Sequence, residues 1–179
     1  IRGNLLYVAY DAGGLRILDV SDKKKPKEIG RYVNAKMRRK PQAYNNVVVR
    51  GNYAYLAVDY AGLEVLDIRN PRRIQQVSWW NPWSADTLRN LWVNSPGHTN
   101  QLVVDARKKL VYLSAGDSEL QIVSLVNLNK PKLVGSYGKP KNKLGTWGMT
   151  VSGDVIYLGY LKTVVPFRGI WAGIKALRK

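Results

Sequence analysis

The segment Leu5–Val20 returns 48 positions later, with Tyr7 matched by Tyr55, Gly14 by Gly62 and Asp19 by Asp67. Register held over so many positions means that one supersecondary unit is copied along the chain. A unit of this kind cannot bury its apolar face alone, so its copies must stack on one another. Within each copy the apolar residues come in short runs rich in Val, Ile, Leu and Tyr, cut by Gly, Asn, Asp and Pro. That pattern predicts strands and turns rather than helices.

The second copy sets the template. Asn46–Arg50 reads as a first strand, Gly51-Asn52 as a tight turn, Tyr53–Val58 as a second strand and Leu63–Ile68 as a third. After an open loop at Arg69–Arg73, Ile74–Trp80 supplies a fourth, outer strand. The third copy follows the same order from Gln101 to Tyr137. The fourth offers Met149–Ser152, Val155–Leu161 and a third strand within Gly169–Leu177, after an irregular Val165-Pro166-Phe167-Arg168. The expected fold is all-β: a β-propeller of four-stranded antiparallel blades at about 1–45, 46–100, 101–148 and 149–179, forming one domain. The first copy lacks an opening strand and the last an outer one. The expectation is therefore part of a larger ring of six to eight blades, with four blades closing on themselves as the alternative. Ile1 is not an initiator methionine, so a processed or partial chain is expected.

The sequence Gly51-Asn52, Tyr53-Ala54-Tyr55-Leu56-Ala57, Gly62-Leu63-Glu64-Val65-Leu66-Asp67-Ile68 and Asn70-Pro71 resembles the LVIVD repeat of bacterial and archaeal surface β-propellers. Gly3–Pro26 is similar, the third copy departs where Val123-Ser124 replaces Leu-Asp, and the fourth matches only in its first two strands. The resemblance implies a propeller at the cell surface, secreted or in the periplasm, and implies little about chemistry.

Composition narrows the function classes. With no cysteine, disulfides, iron–sulfur clusters and thiolate zinc sites are excluded on this chain. No run of eighteen apolar residues is present, so no transmembrane helix is expected. The 29 Lys and Arg against 12 Asp and Glu give a formal charge of +17, which calls for an anionic partner or neighbourhood. An acidic protein or multi-subunit assembly is the expected partner, and an anionic polysaccharide the alternative. Nucleic acid ranks below both, since no named nucleic-acid module occurs.

Blade geometry sorts the unusual segments. The turns between second and third strands share one face with the blade-to-blade connections, and the loops between third and fourth strands lie on the other. On the first face fall Lys36, Arg38, Arg39 and Lys40, then Trp79, Trp80, Trp83, Trp92 and His98, then Lys139, Lys141 and Lys143. The tryptophans suit a stacking platform for sugars or bases, or else the packing wedge between blades. Trp79 and Trp80 adjoin on one strand and must point to opposite faces. His98, the only histidine, is expected to hydrogen-bond within its own Pro96-Gly97-His98 turn. Asp11, Asp59 and Asp117 hold equivalent turn positions, and their spacing does not make a calcium loop. On the opposite face Lys23, Lys24, Lys25, Arg72, Arg73, Lys130 and Lys132 recur at one place in three blades and form a basic arc. No catalytic constellation, cofactor or metal is expected. A non-catalytic scaffold leads, ahead of a glycan-binding module built on residues 79–98 and of an enzyme whose site lies in other blades.

Overall fold

The computed structural model describes residues 1–37, 40–87, 90, 92–163 and 169–179. Blade 1 contains β1 (Leu5–Ala9), β2 (Leu15–Asp19) and β3 (Lys27–Tyr32). Blade 2 contains β4 (Tyr44–Arg50), β5 (Tyr53–Val58), β6 (Gly62–Asp67) and β7 (Gln75–Trp80). Blade 3 runs β8 (Gln101–Asp105), β9 (Leu110–Ser114), β10 (Leu120–Ser124) and β11 (Lys132–Tyr137), and blade 4 runs β12 (Thr146–Ser152), β13 (Val155–Tyr160) and β14 (Gly173–Arg178). Among the described residues each blade is an antiparallel meander in chain order, with three strands in blades 1 and 4 and four in blades 2 and 3. The chain is all-β, as its repeat predicts.

Two strands start earlier than their apolar runs suggest. β4 begins at Tyr44 and β12 at Thr146, because a bulge carries each strand past Asn45 or Trp147 to reach the preceding blade. A second bulge recurs where third and fourth strands pair, at Ile17/Leu18, Val65/Leu66 and Ile122/Val123. Such a bulge raises local twist where the outer strand pairs. The third strand of blade 4 starts at Gly173, inside the expected window. The irregular segment expected just before it, from Val165, lies outside the described residues.

Gly14 and Gly62 open the third strands of blades 1 and 2 with φ of 78° and 80°. A Cβ at Gly62 would sit 2.3 Å from the Trp80 carbonyl oxygen, so the neighbouring outer strand also requires glycine there. Blade 3 puts Glu119 at the same place, with φ of 46°.

Apolar residues form three cores, one between each pair of adjacent blades. Leu15, Ile17, Ala54, Leu56 and Leu66 fill the first, and Tyr55, Ala57, Leu63, Val65, Val111, Leu113 and Val123 the second. Tyr112, Leu120, Met149, Ile156 and Leu158 fill the third. Strand alternation sends successive residues of β5 into different cores, so a middle blade is buried on both faces. Single bridges Asp11–Tyr44, Asp59–Thr99 and Gly116–Thr146 tie the turn between second and third strands of each blade to the entry of the next. These bridges put the turns and the connections on one face.

Candidate functional site

Each inter-blade junction on that face holds one buried carboxylate, and each is satisfied differently. Glu64, buried in β6, accepts hydrogen bonds from Asn34 Nδ2 at 2.5 Å and from the Tyr44 hydroxyl at 3.3 Å. Its donors are neutral, so burial wins and pushes its pKa up to about 7 against the hydrogen bonds from Asn34, Tyr44 and Tyr32. The same burial drives the Tyr44 phenol far above its ordinary range.

At the second junction, Asp59 Oδ1 lies 2.5 Å from His98 Nδ1, and Asp59 Oδ2 accepts from Trp92 Nε1 at 2.6 Å. This corrects the expectation that His98 bonds within its own turn. Its ring pairs with a carboxylate 39 residues away, and its backbone N–H donates to Ala115. The pair is buried, so it acts as a clamp between blades 2 and 3. Asp117 stands half-buried nearby. Burial pushes it up to about 6, with His98 pulling it down, and its Oδ1 has no hydrogen-bond partner among the described residues.

At the third junction buried Glu119 accepts from the Tyr160 hydroxyl, from Asn142 Nδ2 and, at 3.3 Å, from Lys175 Nζ. Three rings surround that ammonium, with centroids 4.5 Å (Tyr160), 5.3 Å (Tyr137) and 6.0 Å (Trp171) away. Cation–π attraction and the ion pair therefore hold Lys175 together. Lys175 occupies in blade 4 the strand position of Arg16, Glu64 and Gln121. Glu64 and Lys175 are polar residues inside apolar stretches of third strands, a pattern that marks the two side chains but names no partner for either.

The tryptophans do not assemble into one platform. Trp79 faces the first core, donates from Nε1 to the Ala61 carbonyl at 2.7 Å and lies under Lys36 at 5.9 Å. Trp80 faces the second core and meets Trp83 edge-on at 6.0 Å. Trp83 in turn packs so closely on Gly97 that a Cβ there would clash with its ring. Trp92 alone of the four is exposed.

Lys40 Nζ donates to the Ala85, Thr87 and Asn90 carbonyls, which uses all three ammonium protons inside the protein. It therefore pins Ala85, Thr87 and Asn90 after β7 and is no free ligand cation. Arg38 and Arg39 lie outside the described residues. Lys40→Met is expected to cost about 1–3 kcal/mol, the price of three stranded carbonyls, and to raise protease cutting at 84–87. Unchanged cutting would refute the pinning role.

On the opposite face Lys23, Lys24, Lys25, Arg72, Arg73, Lys130 and Lys132 are all exposed. None of the seven is in an ion pair among the described residues. Asp67 and Asp19 instead hold their own loops, accepting from the Arg69 and Ser21 backbone N–H groups. Three of the 12 acidic residues, Asp59, Glu64 and Glu119, are buried, so the surface is more basic than composition indicates. Among the described residues no group of three His, Asp or Glu could hold a metal ion, and no helix is long and apolar enough to cross a membrane.

Four meander blades joined through three cores define a β-propeller, and the repeats place it further. The LVIVD repeat model matches residues 1–34 and 43–76, the stretches that form blades 1 and 2. Among solved structures the chain is similar to the Pseudomonas aeruginosa periplasmic gluconolactonase PpgL (13% identity, TM-score 0.64), covering 88% of this chain and 47% of that one. It is also similar to the Cps50 (Swd1) β-propeller domain of Myceliophteria thermophila (11%, TM-score 0.60, 88% and 51%). A third likeness is to the computationally designed protein Ika8 (9%, TM-score 0.56, 89% and 41%). At these identities the likeness shows the fold alone. The chain spans about half the length of the solved structures it matches. No curated protein matches it.

Proposed function

We propose that this propeller is a non-catalytic docking scaffold, working outside the cytoplasm, that holds an acidic protein or larger assembly through its basic arc. One observation carries the reading: seven exposed cations, unpaired among the described residues, recur between the third and fourth strands, or at the start of the fourth, in three successive blades. Like charges so arranged repel one another until an anionic surface neutralises them. The junction carboxylates favour the same reading, because their hydrogen bonds run to other residues of the chain. A sugar platform on residues 79–98 is less supported, since Trp79, Trp80 and Trp83 are engaged in packing. The gluconolactonase resemblance is one of fold and lends no residue to a catalytic reading.

Poly-L-glutamate serves as probe for an acidic protein and alginate for an anionic glycan. Affinity for poly-L-glutamate is expected to fall at least tenfold between 50 and 300 mM salt, and a further tenfold or more in a Lys24→Glu, Arg72→Glu, Lys130→Glu triple variant. Binding that ignores both changes would sink the arc. Alginate binding lost in Trp92→Ala but kept in the triple variant would transfer the function to the first face.

A further inference from the structure

Blade 3 departs from its neighbours at the turn between its first and second strands. Blade 2 crosses from Arg50 to Tyr53 over Gly51-Asn52, and blade 4 from Ser152 to Val155 over Gly153-Asp154. Blade 3 uses four residues, Ala106-Arg107-Lys108-Lys109, between the paired Asp105 and Leu110. Three consecutive cations therefore stand where the other two turns hold none. The backbone differs too. The left-handed residue of this turn is glycine in the other blades, with φ of 56° at Gly3, 54° at Gly51 and 56° at Gly153. In blade 3 it is Lys109, with φ of 52°. Glycine takes that conformation without steric cost and a residue with a Cβ does not, so Lys109 sits there against its own backbone.

Arg107, Lys108 and Lys109 are all exposed, and none is in an ion pair among the described residues. Asp105, the acid beside them, accepts the Lys108 backbone N–H at 3.0 Å through Oδ1 and so shapes the turn. The turn shares the face of the basic arc, because the Lys109 carbonyl accepts the Leu125 N–H at 2.8 Å, just past the third strand. Asn52 accepts the Ile68 N–H in the same way in blade 2. The third strands of blades 1 and 2 end in Asp19 and Asp67, but that of blade 3 ends in Ser124. Blade 3 thus joins Arg107, Lys108 and Lys109 to Lys130 and Lys132 with no carboxylate at that strand end. This blade has four strands and packs against blade 2 on one side and blade 4 on the other, so the patch is bounded within the chain.

We propose that the Arg107-Lys108-Lys109 turn is the anchor of the docking face, gripping an acidic protein segment whose carboxylates meet this turn and the Lys130–Lys132 loop together. The proposal rests on the docking reading above and gives the arc a centre. Cations crowded into one turn repel one another until they are paired, so meeting carboxylates gains most here. A left-handed lysine also fits a residue placed for contact, since strain of this kind gathers where a side chain has work outside the fold.

Poly-L-glutamate at low salt is the probe. The double variant Arg107→Gln, Lys108→Gln is expected to weaken binding by about fivefold or more. The double variant Lys139→Gln, Lys141→Gln removes the same charge from the first face and should change binding by less than about twofold. Lys109→Gly should weaken binding by about threefold or more, while its urea midpoint equals or exceeds that of the parent because glycine relieves the turn. Equal losses in the two double variants would mean that the probe reads net charge alone, which overturns the anchor. Parent-like binding by Arg107→Gln, Lys108→Gln overturns it as well. So does a lower midpoint for Lys109→Gly, since the lysine would then serve the fold. If the turn variants bind like the parent while Lys24→Glu, Arg72→Glu, Lys130→Glu does not, the anchor fails and the arc stands. If all of them bind like the parent, both fail.

Discussion

Replacing Glu119 with alanine is expected to lower the stability of this chain by about 3–5 kcal/mol, the range for breaking a buried ion pair from one side. The carboxylate is the common acceptor for Tyr160, Asn142 and Lys175. Its removal leaves a partly buried ammonium with only the Tyr137, Tyr160 and Trp171 rings, strands the Tyr160 hydroxyl and releases the 138–145 connection. Alanine would keep the left-handed backbone at φ 46° and so relieve no strain. Glu119→Gln, which retains an acceptor but not the charge, should cost less. Urea unfolding gives both values, and the double variant Glu119→Ala, Lys175→Met should recover part of the loss, because no ammonium is then left without its carboxylate. If Lys175→Met makes Glu119→Ala worse, the ion pair is not what holds the junction.

Between pH 5 and 8 the stability of the wild-type chain is expected to fall, and Glu64 is the main reason. Its pKa is about 7 in the folded chain against 4.5 ordinarily, so across that window the folded state binds more protons than the unfolded one. Unfolding free energy then decreases with rising pH. Two and a half units correspond to a loss on the order of 3 kcal/mol, complete once pH exceeds about 7. Asp117, pushed up to about 6, acts in the same direction with less weight because it is only half buried. Asp19 and Asp67 are held below the ordinary range, so their effect falls in acid, below about pH 4. Glu64→Gln should match wild type at pH 5 and exceed it at pH 8, since glutamine keeps a carbonyl acceptor for Asn34 and Tyr44. Blade 3 already places Gln121 at the equivalent position. Unfolding midpoints for both proteins across the range provide the check, and parallel pH profiles would remove Glu64 from the account.

Strand order, strand limits to within about three residues, the blade count and the face on which each loop emerges were legible because strand information is local. A period of two, broken by Gly and Pro, repeats with the same register wherever the unit is copied. The opposite orientations of Trp79 and Trp80 followed from that period alone. The junctions were not legible. His98 meets Asp59 across 39 residues, Glu64 meets Asn34 across 30, and Glu119 meets Lys175 across 56. Nothing in the local pattern ranks these pairs above any other. The basic arc shows the same division. Recurrence of Lys and Arg after each third strand is written in the sequence. That Lys24 stands unpaired in solvent while Lys40 is consumed by three carbonyls was decided by packing.

What each blade is was written in its residues, since alternation and turn chemistry act over a few positions. What each blade meets was set by how the blades pack. The path from one blade to the next sets which carboxylate is buried against which donor.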